Sequence, residues 1–139
     1  MPRILGKMGN VSLARHLLRA KDLADARYAE PLRVSDLAAA AGLSRAHFSR
    51  EFKRAYGESP HQYLLTRRLE RAAALLRNTD RSVADICLMV GFTSVGSFTT
   101  SFGRIFALSP TEYRSACPPA ASRARIPDCV LRAWGRPHR

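Results

Sequence analysis

The chain has 139 residues, 46% of them hydrophobic, enough for one compact domain or two small subdomains and too many for wholesale disorder. It carries 23 Lys plus Arg against 11 Asp plus Glu, a formal net charge of +12, and a field of that sign points to a polyanionic partner. Cys87, Cys117 and Cys129 are odd in number and lack the CxxC spacing of a zinc site, and no secretory signal or long apolar run opens the chain. The reducing cytoplasm is the expected compartment, and a membrane partner is not expected.

Residues 1–10 contain Pro2, Gly6 and Gly9 and read as a loose lead-in. A helical period follows, in which Leu13, Leu17, Leu18 and Tyr28 share a broad face with Ala14 and Ala24 until Pro31 stops it. Val34 to Ala41 is a short alanine-rich helix ended by Gly42. Ser44 then caps a helix running to about Tyr56. Ser59-Pro60-His61-Gln62 combines an N-cap, a first-turn proline and a capping box, and starts a long helix over 60–78 with Leu65, Leu69, Leu75 and Leu76 as its core candidates.

From Val83 the plan repeats: a helix to Val90, Gly91, a helix from about Ser94 to Phe106, and a last short helix from Ser109-Pro110-Thr111-Glu112. Gly42 answers to Gly91, Phe48 to Phe98, Phe52 to Phe102, Ser59-Pro60 to Ser109-Pro110, and Tyr63 to Tyr113, with one extra residue in the second copy after its glycine. Beyond Arg114, prolines interrupt every window among scattered arginines, so 115–139 reads as a mostly disordered basic tail. No alternating apolar run marks a strand, and the fold expected is all-α.

A short helix, a glycine turn and a longer helix in that order form a helix-turn-helix. Leu37, Leu43, Phe48 and Phe52 would join the two helices in the first copy, and Ile86, Phe92, Phe98 and Phe102 in the second. Opposite Phe48 and Phe52, at about 100° per residue, lie Ala46, Ser49, Arg50 and Lys53. Arg50 suits a guanine edge, Ser49 a base or phosphate, and the Ala46 methyl a thymine methyl, while Arg45, Lys53 and Arg54 are placed for phosphates. The same face of the second copy carries Val95, Gly96, Thr99, Thr100 and Gly103, with Arg104 as its cation. It is a weaker reader.

The combined pattern, L-A-x-x-x-G-L-S-x-x-x-F-S-R-x-F-K-x-x-x-G-x-S-P-x-x-Y, then R-R-L-E-R-A-A-A-L-L, then I-x-x-x-V-G-F-x-S-x-x-S-F-x-x-x-F-x-x-x-F-x-x-S-P-x-x-Y-R, resembles the DNA-binding domain of the AraC/XylS family of bacterial transcription regulators over residues 11–114. The resemblance implies about seven helices in two homeodomain-like helix-turn-helix subdomains, 11–58 and 80–114, joined by a connecting helix within 59–79. It also implies two recognition helices entering successive major-groove segments on one face of the DNA.

Base-reading positions carried over from the family fall on Ala46, Ser49 and Arg50, and on Val95, Gly96, Thr99 and Thr100. Gly103 stands where the family usually has lysine and Ala107 where it usually has glycine. The function implied is a sequence-specific regulator, more often an activator, acting on double-stranded promoter DNA through RNA polymerase. No catalytic activity, cofactor, metal or small-molecule effector site is expected in this chain. Its place would be the nucleoid of a bacterial cytoplasm. The competing reading is a protein-interaction module whose weak second reader leaves DNA binding dependent on a partner. A cationic membrane-active protein is disfavoured, because no helix sets a continuous basic face against an apolar one.

Overall fold

Seven helices and no strand make up the described residues of the computed structural model, which describes the backbone of 2–117 and side chains from residue 12 to 117. The helices are α1 (Pro2–Ala26), α2 (Val34–Ala41), α3 (Arg45–Tyr56), α4 (Pro60–Asn78), α5 (Val83–Met89), α6 (Val95–Phe106) and α7 (Pro110–Ala116). The chain divides into two units, Met1–Leu65 and Thr66–Arg139, and the division falls inside α4.

In the first unit, α1 presents a narrow ridge of Leu17, Ala20 and Ala24, and the alanines let α2 pack closely against it. Leu37, Ala38 and Ala41 from α2, Phe48 and Phe52 from α3, and Leu64 from α4 complete one core. Phe52 sits 5.5 Å from Phe48, 4.6 Å from Tyr56 and 5.6 Å from Tyr63 between ring centroids. Such tilted pairs each contribute about 0.5–1.5 kcal/mol beyond the area they bury. The Tyr63 hydroxyl donates to the Asp25 carboxylate at the end of α1.

The second unit is built the same way. Leu69, Ala72, Ala73 and Leu76 of α4 are buried with Ile86, Cys87, Val90, Phe98, Phe102 and Tyr113. Phe102 contacts Phe98, Phe106 and Tyr113 at 5.8, 4.5 and 5.4 Å. The Tyr113 hydroxyl accepts from Arg77 Nη1 at 2.9 Å. The duplication therefore reaches further back than the motifs: Leu17, Ala20 and Ala24 of α1 correspond to Leu69, Ala72 and Leu76 of α4, and Asp25 under Tyr63 corresponds to Arg77 under Tyr113. The first turns of α4 close the first unit as α7 closes the second, while the rest of α4 opens the second unit as α1 opens the first.

Both glycine turns have one geometry. Gly42 (φ 69°) and Gly91 (φ 96°) are left-handed, and the residue after each, Leu43 or Phe92, donates back to the carbonyl five positions earlier at 3.0 Å. The extra residue of the second copy is thus Thr93, between this turn and the Ser94 cap. Ser44, Ser59, Ser82 and Ser94 each accept a backbone N–H three residues on, and Ser109 forms a reciprocal capping box with Glu112.

Several expectations are revised. Helix α1 begins at Pro2, so 2–10 are helical where a lead-in was expected, with Pro2 in the first turn where its missing N–H costs nothing. Leu18 is 47% exposed and Ala14 is exposed, because the buried ridge of α1 is one residue wide per turn. Leu64 is buried while Leu65 and Leu75 are half-buried, since α4 serves first one core and then the other. Helix α5 ends at Met89, one residue early, and α7 continues through Ser115 and Ala116. The remainder of the expected tail, 118–139, lies outside the described residues.

Candidate nucleic-acid interface

Helix α3 follows from its sequence by a simple partition. Phe48 and Phe52, one turn apart, are 0% and 1% exposed and fix its rotation on the core. That rotation leaves Arg45, Ala46, Arg50, Lys53 and Arg54 exposed and Ser49 half-buried. Ala46, Ser49, Arg50, Lys53 and Arg54 therefore share the outer side of one helix, and Arg45 stands exposed at its first residue. Arg45, Arg50 and Lys53 carry no side-chain hydrogen bond or ion pair among the described residues. Arg54 pairs with Glu51 at 3.4 Å, but its side chain is 77% exposed, and such a surface pair holds the guanidinium only weakly. Lys53 and Arg54 also complement the C-terminal end of the α3 dipole, a structural role that coexists with phosphate contact.

Helix α6 is partitioned by Phe98 and Phe102 in the same way. Val95 (46% exposed), Gly96, Thr100 and Arg104 are exposed, and Thr99 and Gly103 are half-buried. Neither glycine is required by the fold: a Cβ at Gly103 would meet nothing within 4 Å, and one at Gly96 would meet only Ser94 Oγ at 3.6 Å. The outer side of α6 offers methyls, hydroxyls and open backbone, with Arg104 as its single cation among the described residues of the helix.

Two features escaped the sequence. Arg114, the last residue of the repeated motif, donates from Nε to the Leu76 carbonyl at 3.1 Å and from Nη2 to those of Thr79 and Arg81 at 3.2 and 2.6 Å. It ties α7 to the open C-terminal end of α4 and is not available to DNA. The second is a cleft of about 400 Å³ in the first unit, lined by Arg33, Ser35 and Arg45 with His61 over Leu37, Pro60 and Leu64. Among the described residues no cluster of His, Cys, Asp or Glu could hold a metal ion, and no helix is long and apolar enough to cross a membrane.

Two short-helix, glycine-turn, long-helix motifs, each rotated by a phenylalanine pair to expose a polar face, define a double helix-turn-helix protein. Residues 37–116 match the family described as a helix-turn-helix domain. The DNA-binding domain of AdpA, solved in complex with a target DNA, is 35% identical with a TM-score of 0.70, and the match covers 80% of this chain and 96% of that one. An AraC-type transcriptional regulator from Chromobacterium violaceum is also 35% identical, at a TM-score of 0.69, with 82% and 96% covered. The regulator MtrA of Neisseria gonorrhoeae is 41% identical over 81 residues, 58% of this chain and 27% of its own length. The right origin-binding protein of Escherichia coli K12 is 40% identical over 85 residues, 61% of this chain and 29% of its own length. The chain belongs to the AraC-type helix-turn-helix family. It spans about a third or less of the length of these curated relatives.

Proposed function

We propose that this chain is a sequence-specific DNA-binding transcription regulator that reads double-stranded promoter DNA chiefly through α3. The observation that carries this reading is the set of unpaired cations, Arg50 and Lys53 on the outer side of a helix whose rotation Phe48 and Phe52 fix, and Arg45 at its first residue. Arg50 takes a guanine edge, Ser49 and Ala46 touch neighbouring base edges, and Arg45, Lys53 and Arg54 hold phosphates. Helix α6 docks in a second major-groove segment about 34 Å along the duplex, where Val95, Gly96, Thr99 and Thr100 lie against bases and Arg104 against backbone. Membership of the family supports action on RNA polymerase at a bacterial promoter, as an activator, within the nucleoid.

Selection of bound duplexes from a random pool, followed by footprinting, tests the proposal. A single enriched sequence should emerge, protected over two adjacent groove segments, with affinity that falls steeply as salt rises. Arg50→Ala should cost about 1–3 kcal/mol on that sequence and relax preference at one base pair, while Lys53→Ala should weaken all duplexes alike. Equal losses on every duplex for both variants would refute the division between reader and positioner. A purified protein that binds no duplex at moderate salt would instead favour an interaction module that needs a partner to reach DNA.

A further inference from the structure

We propose that the cleft lined by Arg33, Arg45 and His61 is a phosphate cradle, which holds one backbone phosphate of bound DNA and thereby sets where α3 enters the groove. Three chain segments meet there: the residue before α2, the first residue of α3 and the first turn of α4. The floor is rigid, since Leu37 is 1% and Leu64 4% exposed and Pro60 is fully buried. The rim holds two cations, Arg33 and Arg45, beside the His61 imidazole: these side chains are exposed and carry no hydrogen bond or ion pair among the described residues, and the Ser35 hydroxyl adds a donor. The carboxylate nearest in sequence, Asp36, accepts from the Arg33 backbone N–H at 2.8 Å and caps α2. That bond does not depend on the Arg33 side chain.

Two guanidiniums and an imidazole over an apolar floor suit a tetrahedral oxyanion, because guanidinium forks pair with phosphate oxygens and the apolar wall beneath weakens competition from water. The cradle is private to the first unit. The corresponding residues of the second unit are Ser82, Val95 and Thr111, none of which carries charge. Arg45 belongs both to the rim and to the first turn of α3, so a phosphate held in the cleft lies beside the first turn of the reading helix. That is where a strand bordering the major groove passes.

The proposal rests on the DNA-binding reading and can fail separately from it. The full chain and the double variant R33A/H61Q are titrated with the selected duplex and with duplexes carrying one neutral methylphosphonate at each backbone position in turn. The double variant should keep its base preference and its melting temperature, and the slope of log affinity against log salt should shrink by about 1 or less. One methylphosphonate position should weaken the unaltered chain clearly more than it weakens the variant, which keeps only Arg45 at the cleft. If the unaltered chain binds DNA and no such position exists, the cradle is wrong while DNA binding stands. If inorganic phosphate alone saturably shifts the His61 ring signals in NMR while no backbone position is sensitive, the cleft belongs to a free anion and the proposal is overturned. If no duplex binds at all, the DNA-binding reading falls and takes the cradle with it.

Discussion

Ala107 closes α6 in the left-handed region at φ 62°, and it is the only non-glycine residue with positive φ among the described residues. The corresponding residue after α3 is Gly57 at φ 80°, where a Cβ would meet nothing within 4 Å. Space is therefore ample at Gly57, and the difference between the two positions is conformational. An L-residue there costs roughly 1–2 kcal/mol against the following carbonyl, partly offset by the greater freedom glycine has in the unfolded chain. Ala107→Gly should accordingly stabilise the protein by about 1 kcal/mol, and Gly57→Ala should destabilise it by a similar amount. Urea unfolding of the two variants would show opposite shifts in midpoint with unchanged slopes, and shifts of the same sign would remove the argument.

At the scale of elements, how a helix ends matters as much as how it packs. Helix α7 is held at its start by Ser109 and Glu112 and through Arg114 to the end of α4. The Ser109 hydroxyl and backbone N–H hold the Glu112 carboxyl below its ordinary value, so the folded state binds the proton less readily than the unfolded chain. The cap is therefore at full strength above the usual carboxylate range, about 4.3, and is lost as pH falls below it. Amide exchange in α7 should quicken on acidification below that range, and Ser109→Ala should flatten this dependence. Arg114→Met should cost about 1–3 kcal/mol, read as a lower melting temperature, because the Leu76 carbonyl at the end of α4 and those of Thr79 and Arg81 just beyond it lose a charged donor.

The aromatic pairs and the caps at Ser44, Ser59 and Ser109 are legible in the sequence because each depends on a fixed local spacing. The partition of α3 followed from Phe48 and Phe52 alone. Arg114 was not legible, since its partners at Leu76, Thr79 and Arg81 lie more than thirty residues away and only folding brings them near. Leu64 is buried where the sequence period points to Leu65, for a related reason. No single periodicity runs along α4, because the helix turns one face to the first core and a later one to the second. The cleft was invisible because Arg33, Arg45 and His61 share no period, and the fold alone makes them neighbours.

Over the whole molecule, duplication preserved what the fold needs and let charge diverge. Both units keep the turn glycine, the phenylalanine pair and the tyrosine anchor, yet the cations at 33, 45, 50 and 53 have no charged counterpart in the second unit. Residues 118–139 add Arg123, Arg125, Arg132, Arg136 and Arg139 against Asp128, a second reservoir of positive charge that contains no copy of the repeat. Positive charge by itself binds the duplex by releasing counterions and does so equally on every sequence. A chain ending at Cys117 should therefore lose affinity for selected and scrambled duplexes by the same factor, with a smaller salt slope and the same enriched sequence. Titrations at several salt concentrations would settle the point: the ratio of the two affinities should not move, and a ratio that falls on truncation would mean that residues 118–139 take part in reading the bases.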